Sequence, residues 1–290
     1  MNKHNFKSYI ALIGSMLIFG TLGVVRRYVP LSSAMLALCR GVLGSVFLLV
    51  FVLVRGGKLK LPERKATLWL VLTGAVMGLN WMLLFEAYNY TTVAAATMCY
   101  YMQPTIVILL SPIVFRERLG AKRLACAFAA IVGMLFVSGA LSGGAGQVQD
   151  LRGILFGLGA AAFYATVIIL NKKIVVGDIY AKTIIQLAGA ALVMIPYVLL
   201  TEGVPDLSMS AAGVGTVLLV GIVHTGITYA LYFGSMQRLR AQTVAVLSYI
   251  DPVFALLLSA AVLHESLTPL GVVGAVLIIG SAIISETAKE

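Results

Sequence analysis

Long apolar runs separated by short polar stretches extend from one end of the chain to the other. Each run holds about 20 mostly apolar residues, the length that an α-helix needs to cross the hydrocarbon core of a bilayer. Recurrent glycines within the runs favour close packing between neighbouring helices. We therefore predict ten membrane-spanning helices, at residues 8–29, 34–54, 67–88, 92–113, 121–141, 152–171, 181–201, 211–234, 241–263 and 268–285.

The apolar pattern repeats itself after 148 residues. Residues 83–119 align without a gap with residues 231–267, and ten of the 37 aligned positions are identical. Four of these identities involve residue types that two leucine-rich segments would not share by chance: Tyr101/Tyr249, Pro104/Pro252, Ser111/Ser259 and Glu117/Glu265. We therefore predict two repeats, at residues 1–145 and 146–290, with five helices each. Because five is odd, the repeats must enter the membrane in opposite directions, as in transporters built from inverted halves.

Composition and charge agree with a protein embedded in lipid. Of the residues, 60% are hydrophobic and 11% are charged, and the mean hydropathy is +1.01, whereas soluble domains carry about 25% charged residues. With a cytoplasmic N-terminus, 17 of the 21 Lys and Arg residues fall in cytoplasmic segments and three fall outside. Positive charge favours the cytoplasmic side, so we predict that both termini are cytoplasmic. The net charge of +10 thus indicates orientation, and we predict no nucleic-acid partner.

No motif predicts an enzyme, a cofactor or a metal site. The three cysteines, Cys39, Cys99 and Cys126, lie within apolar runs and have no neighbour at metal-ligand spacing. The chain also lacks a phosphate-binding glycine loop, an HExxH motif and a nucleophile elbow.

Several motifs resemble a known transporter repeat. The second half carries Gly-Ile-Thr-Tyr-Ala-Leu-Tyr-Phe-Gly at 226–234, Tyr-Ile-Asp-Pro-Val-Phe-Ala at 249–255 and Leu-His-Glu-Ser-Leu-Thr at 263–268. The first half carries Phe19-Gly20, Arg40, Gln103-Pro104 and Glu117-Arg118-Leu119. Together they resemble the EamA repeat of the drug/metabolite transporter superfamily, over almost the whole chain. The resemblance implies ten helices, a central cavity between the halves, a bacterial cytoplasmic membrane, and transport of small metabolites such as amino acids.

Asp251 is the acidic residue that lies deepest within a predicted span. A carboxylate in that position is unfavourable in lipid, so we expect it to face a cavity or a partner. As a functional group it would carry a proton or contact a substrate amine; as a structural group it would pair with Arg40. Its counterpart in the first half is the uncharged Gln103. The adjacent Pro252, like Pro104, predicts a kink that frees backbone groups.

Polar residues also recur at four-residue spacing in the eighth predicted span. His224, Thr228 and Tyr232 form one stripe, which we expect to line the cavity because lipid contact would be unfavourable. His224 is a second candidate for proton coupling, and an interhelical hydrogen bond is the structural alternative. The shift of 148 residues maps Thr228–Tyr229 onto Asn80–Trp81, so both repeats place a polar residue before an aromatic one.

The predicted substrate-binding set combines these residues with tyrosines of the fourth, sixth and ninth spans. It comprises Asn80, Trp81, Tyr100, Tyr101, Gln103, Tyr164, His224, Thr228, Tyr229, Ser248, Tyr249 and Asp251. We predict two further structural roles. One is an Arg40–Glu86 pair. The other is Glu265 supporting the start of the last helix, where Thr268 is the predicted N-cap and Pro269 the first-turn proline.

The inverted duplication predicts a secondary transporter, an exporter of small metabolites that works by alternating access around a central cavity. Its predicted partners are a small-molecule metabolite and the lipid bilayer. The alternatives are an intramembrane enzyme that acts on a lipid-linked substrate, and a membrane scaffold or receptor. Neither alternative requires an inverted duplication.

Overall fold

The computed structural model describes residues 3–115, 120–137, 148–174, 176–203, 208–236, 239, 247–265 and 268–287. Within these residues all regular structure is helical, which confirms the predicted all-α class. The elements are α1 (Lys3–Gly20), α2 (Leu22–Arg26), α3 (Ser33–Val54), α4 (Arg64–Tyr90), α5 (Val93–Tyr100), α6 (Gln103–Phe115), α7 (Ala121–Val137), α8 (Val148–Lys173), α9 (Ile179–Thr201), α10 (Ala211–Leu218), a π-helical segment (Leu219–Ile227), α11 (Thr228–Met236), α12 (Ile250–Val262) and α13 (Pro269–Thr287).

Seven helical stretches of the described residues are long and apolar enough to cross a membrane. They coincide with predicted spans one to four and six to eight. Three shorter apolar helices, Leu124–Val137, Ile250–Val262 and Pro269–Ser285, fall where the other three spans were predicted. The chain therefore has several membrane-spanning helices, and the crossing of all ten segments stays a prediction.

Three of the predicted spans are interrupted, although the apolar pattern predicted continuous helices. The first span breaks at Thr21, between α1 and α2. The fourth breaks at a turn formed by Tyr101 and Met102, and the ninth has a turn at Tyr249 immediately before α12. The last two breaks are related by the repeat spacing and stand just before the duplicated prolines. A proline cannot donate an intrahelical hydrogen bond, so helices tend to kink or restart near it.

Side-chain oxygens cap several helix starts. Ser32 accepts a hydrogen bond from the Met35 backbone N at 3.0 Å, and Thr92 accepts one from the Ala95 N at 3.0 Å. The predicted cap at Thr268 is confirmed, because its hydroxyl accepts from the Gly271 N at 3.0 Å. These bonds satisfy backbone donors that have no partner within the helix, and they position the helices where the chain re-enters the bundle.

The two halves of the chain pack against each other through equivalent pairs of helices. Helix α4 packs on α8, and the counterpart of α4, which includes α11, packs on α1. Likewise α4 packs on α9, while the π-helical segment packs on α3. Two further pairs, α3 with α9 and α7 with α13, each join a helix to its own counterpart. Much of the core therefore lies between the halves.

Close backbone contact at these pairs depends on glycine. A Cβ at Gly74 of α4 would stand 2.1 Å from the Gln186 carbonyl oxygen of α9. Gly133 and Gly274 face each other across the α7–α13 pair, and a Cβ at either would stand within 2.7 Å of the other's carbonyl oxygen. Small residues permit this approach, and dispersion contacts between the closely packed helices then stabilise the interface.

Polar contacts group the loops at two ends of the bundle. At one end, Arg27 donates to the Thr91 carbonyl oxygen at 3.2 Å and pairs with Glu265 at 3.3 Å. The Ser32 hydroxyl donates to the Glu202 carboxylate at 2.7 Å at the same end. This end thus gathers the loops after the first and third spans of the first half, with those after the second and fourth spans of the second half.

The loop between α3 and α4 lies at the opposite end, because α3 runs the length of the bundle. There the Lys60 backbone N donates to the Asp178 carboxylate at 3.0 Å. This bond joins the loop after the second span of the first half to the loop after the first span of the second half. Each end therefore combines loops of unequal rank, meaning loops that follow odd-numbered spans of one half and even-numbered spans of the other.

Candidate functional site

A cavity of about 330 Å³ lies between the two halves, and both contribute to its wall. Its lining residues within the described chain are Met16, Phe19, Gly20, Leu22, Gly23, Arg40, Trp81, Leu84, Tyr88, Thr97, Tyr100, Tyr101, Gln103, Pro104, Val107, Ile108, Tyr164, Ile168, Tyr229, Tyr232, Ser248, Tyr249, Asp251 and Ala255. The wall is mostly apolar and aromatic, with a few polar and charged groups, as is usual for small-molecule sites.

Asp251 reaches the cavity from the first turn of α12. Because Tyr249 interrupts the span, the positive end of the helix dipole falls beside this carboxylate and stabilises its charge. The Tyr101 hydroxyl, at the break in the other half, donates to Asp251 at 2.5 Å. No Lys, Arg or His nitrogen of the described residues lies within ion-pairing distance of Asp251, so the predicted structural pair with Arg40 is absent.

Two groups of aromatic rings in mutual contact line the cavity. Tyr100 contacts Tyr101 and Tyr164 with ring centroids 5.7 and 5.6 Å apart, and Tyr101 contacts Tyr249 at 6.5 Å. Phe19 makes edge contacts with Tyr229 and Tyr232 at 5.6 and 6.4 Å. Such rings provide apolar area together with hydroxyl groups that can bind a ligand.

Arg40 is also on the cavity wall, although it is only 2% exposed. Its Nε donates to the Thr225 hydroxyl at 3.0 Å, and its guanidinium lies 4.3 Å from the Trp81 ring centroid and 5.4 Å from that of Phe85. The predicted Arg40–Glu86 pair is therefore wrong. The Glu86 carboxylate accepts instead from Ser33 and Asn89, at 2.7 and 3.1 Å.

Nine of the twelve predicted substrate-binding residues line the cavity. They are Trp81, Tyr100, Tyr101, Gln103, Tyr164, Tyr229, Ser248, Tyr249 and Asp251. The remaining three, Asn80, His224 and Thr228, are buried away from it. The expectation that the polar stripe as a whole lines the cavity is thus corrected: only Tyr232 of that stripe does so.

The three residues away from the cavity bond to other helices or to their own backbone. The Asn80 amide donates to the Ala160 carbonyl oxygen of α8 at 2.6 Å. His224 Nε2 lies 2.8 Å from the Thr21 hydroxyl, at the break in the first span. Thr228 donates to the Val223 carbonyl oxygen at 2.6 Å. In lipid, polar groups must find partners within the protein. Asn80 and His224 therefore join helices, and Thr228 bonds to its own helical segment, where the sequence pattern suggested cavity contacts.

The π-helical segment explains part of this difference. Thr225 and Thr228 donate to carbonyl oxygens five residues earlier, those of Val220 and Val223, at 3.0 and 2.6 Å. A π-helix widens the turn, so its side chains point in directions that a 3.6-residue stripe does not predict. Such segments are frequent at functional sites, and this one carries the hydroxyl that holds Arg40.

Glu265 connects the halves beside the cavity. Its carboxylate accepts from the Val93 and Ala94 backbone nitrogens at 3.0 and 3.3 Å, from Arg27 at 3.3 Å, and from the Ser259 hydroxyl. It therefore caps α5 of the first half, where we had expected it to support the start of α13. Its counterpart Glu117 lies outside the described residues.

Sequence reasoning missed some cavity residues. Phe19, Tyr88 and Thr97 line the wall, but an aromatic or a threonine in an apolar span is as typical of helix packing as of a site. Arg40 carried a recognisable signal, a charge within a span, and we assigned it to the wrong partner.

The fold and the cavity define the class of protein: it is an integral membrane protein with several spans and an internal cavity between two packed halves. The sequence pattern described as the EamA-like transporter family matches residues 6–139 and again residues 151–287. The chain therefore belongs to the EamA-like transporter family, which confirms the resemblance. It is an integral membrane protein of bacterial type and a transporter, not an enzyme.

Named relatives agree with this class. The chain is 28% identical over 263 residues to the uncharacterized transporter YxxF of Bacillus subtilis (strain 168), covering 89% of this chain and 82% of the relative. It is 30% identical over 200 residues to a probable amino-acid metabolite efflux pump of Salmonella typhimurium (strain LT2), covering 66% of each protein.

A solved crystal structure has the same overall fold. It superposes with a TM-score of 0.67 at 22% sequence identity, covering 97% of this chain and 98% of that one. At this identity the likeness concerns the fold alone.

Proposed function

We propose that this protein is a secondary transporter that exports small organic metabolites, amino acids among them, by alternating access. The observation that carries the proposal is the cavity between the halves, with Asp251 on its wall and no cationic partner within ion-pairing distance among the described residues. A lone carboxylate in apolar surroundings is stabilised by a proton or by a cationic ligand. Asp251 is therefore suited to couple proton movement to binding of a substrate amine.

The grouping of loops supports alternating access. Loops of unequal rank share each end of the bundle, as expected for two five-helix repeats, residues 1–145 and 146–290, inserted in opposite directions with cytoplasmic termini. Two similar halves of opposite orientation have two near-equivalent arrangements, and exchanging them moves the opening from one side to the other. Equivalent packing of α4 on α8 and of α11 on α1 is consistent with such an exchange.

Glu265 supports the same mechanism at one end. Its bonds to Val93, Ala94 and Arg27 join the halves near the cavity, and opening that end would require breaking them. The name of the Salmonella relative supports amino-acid metabolites as cargo and export as the direction. His224, the second predicted coupling residue, is bonded to Thr21 and would act indirectly, through the break in the first span.

The test is flux through purified protein in sealed vesicles. A pH gradient is imposed, and movement of radiolabelled amino acids is followed in protein-containing and empty vesicles. We expect saturable flux that depends on the gradient and on Asp251. Folded protein that moves none of the common amino acids under any gradient would contradict amino-acid transport.

A further inference from the structure

Arg40 is a buried cation in the cavity wall without an acidic partner. Its Nε is bonded to Thr225 at 3.0 Å, whereas its terminal nitrogens, Nη1 and Nη2, donate to no atom of the described residues. No carboxylate among those residues lies within ion-pairing distance. A guanidinium buried in this way is unfavourable, because its charge has no counter-ion and its terminal donors have no acceptor.

The two acids that the sequence suggested as partners of Arg40 are engaged elsewhere. Glu86 accepts from Ser33 and Asn89, and Asp251 accepts from Tyr101. The rings of Trp81 and Phe85 stabilise part of the Arg40 charge. They supply no acceptor, however, for the two terminal nitrogens, which leaves the fork of the guanidinium available to a ligand.

The position of the Arg40 guanidinium is fixed by the surrounding helices. The Thr225 hydroxyl donates to the Val220 carbonyl oxygen at 3.0 Å, so its lone pair is directed to Arg40 Nε. The close approach of α3 requires Gly44, since a Cβ there would stand 2.6 Å from a methyl carbon of Thr225. A pre-organised guanidinium of this kind is well suited to bind a carboxylate through two parallel hydrogen bonds.

We propose that Arg40 is the carboxylate-binding residue of the cavity, and that Arg40 and Asp251 together select a zwitterion with one carboxylate and one amine. The two residues line the same cavity but form no ion pair with each other. A substrate between them would supply the missing counter-charge to each. The inference rests on the proposed function, because it concerns the cargo of the same cavity.

Trp81 provides a direct readout, since the Arg40 guanidinium lies over its ring. The chain has two tryptophans, and Trp69 is 45% exposed on the outer face of α4. A Trp69→Phe background therefore leaves Trp81 as the only tryptophan. Its emission is titrated with the common L-amino acids except tryptophan. The strongest responder is then compared with its decarboxylated amine and with its deaminated acid.

We expect binding to depend on the carboxylate group of the ligand. The amino acid and the acid should produce a saturable change in Trp81 emission. Arg40→Gln should raise the Kd of both by at least about thirtyfold. Arg40→Lys, which keeps the charge but loses the fork, should raise it by about tenfold. Binding of the amine should be unchanged or tighter in Arg40→Gln, because a like charge has been removed.

The matched control is Arg55→Gln. Arg55 also lies over an aromatic ring, 4.5 Å from the Phe51 centroid, but it is exposed and does not line the cavity. The same loss of charge there should leave every Kd within about threefold of the starting protein, a change of under 1 kcal/mol. An equal effect of the two substitutions would show that only net charge matters and would overturn the proposal.

Two other outcomes would overturn it. One is an absence of response to every carboxylate. The other is a responder whose decarboxylated amine binds as tightly as the amino acid itself, both in the starting protein and in the Arg40→Lys variant. Failure of this inference can be distinguished from failure of the proposed function, because the proposed function fails only if flux in vesicles is lost. If vesicles transport amines but no carboxylates, the protein is still a transporter, and Arg40 is not its carboxylate-binding residue.

Discussion

The breaks in the fourth and ninth spans have the same local structure but different chemistry. Tyr101 and Tyr249 stand at the two turns, and a proline follows each by three residues. The position before the proline is Gln103 in one half and Asp251 in the other. The Gln103 Oε1 has no hydrogen-bond partner among the described residues, whereas Asp251 accepts from Tyr101 of the opposite half.

This difference indicates how a duplicated protein specialises. The repeated tyrosine and proline stand at a backbone break in both halves, and residues of both breaks line the cavity. Only the second half carries a charge at the position before the proline. The hydroxyl that stabilises this charge comes from the first half, so the site forms only when the halves pack together.

The largest expected effect concerns the relative orientation of the halves, because labelling is an all-or-none measurement. In a variant whose three cysteines are serine, new cysteines at Lys58 and Gly177 should react only from the cytoplasm. A cysteine at Ser208 should react only from outside. We expect this pattern because loops of unequal rank share an end. Lys58 and Gly177 reacting from opposite sides would contradict inverted halves, and Arg118→Cys, expected to react from the cytoplasm, extends the test to a loop outside the described residues.

The next largest effect distinguishes the charged break in the ninth span, at Asp251, from the uncharged break in the fourth span, at Gln103. Asp251→Asn should lower gradient-driven flux at least about tenfold, equivalent to about 1.4 kcal/mol, because the only charge at the breaks is lost. Gln103→Asn is the matched control, since it shortens the amide of the other copy without changing charge, and it should retain most of the flux. Equal activity of Asp251→Asn and the starting protein at every pH would reject the coupling role.

A smaller effect is expected for the duplicated prolines. Pro104 and Pro252 lie in the first turns of α6 and α12, where proline is tolerated because the missing N–H has no partner within the helix. Alanine would restore that N–H and allow the helix to continue backwards through the break, so the break is no longer favoured locally. Pro252→Ala should reduce flux several-fold, because it moves the adjacent Asp251, and Pro104→Ala should reduce it less. Flux is measured alongside thermal unfolding in detergent, and an identical loss in both variants would show that the breaks matter only as hinges.

The smallest effect concerns stability at the loop that joins the halves. Glu265→Ala should lower the free energy of unfolding by about 1–3 kcal/mol, because it leaves buried backbone donors of α5 without a partner. Arg27→Gln should cost under about 1 kcal/mol, since Arg27 is 37% exposed and its ion pair is screened by water. Thermal unfolding of the two variants provides the comparison, and a larger effect of Arg27→Gln would contradict the capping role.

Helix positions were predictable because apolar length is a local property. The predicted spans 34–54 and 181–201 agree closely with Ser33–Val54 and Ile179–Thr201. The break at Thr21 and the π-helical segment were not predicted. Neither changes the apolar pattern, and the two meet across the halves through the bond between Thr21 and His224.

The sequence predicted which residue types lie at the candidate site better than it predicted which side chains bond to each other. Unusual polar groups in apolar spans pointed to Asp251 and to tyrosines that line the cavity, and their contact with a substrate stays a prediction. The direction of each side chain depends on how its helix is rotated. For this reason His224 bonds to Thr21 of the first span and Thr228 bonds to the backbone of its own segment, although both were expected at the cavity.

By itself the sequence determined that the chain is a duplicated bundle of apolar helices with a carboxylate and an arginine inside it, since length, period and composition are properties of the chain alone. Only the tertiary structure decided which groups meet. Arg40 bonds to Thr225, 185 residues away, and Glu265 caps α5 at a separation of 172 residues. The physical reason is that a buried polar group takes whichever partner the packing of the two halves brings within reach, and no local pattern encodes that packing.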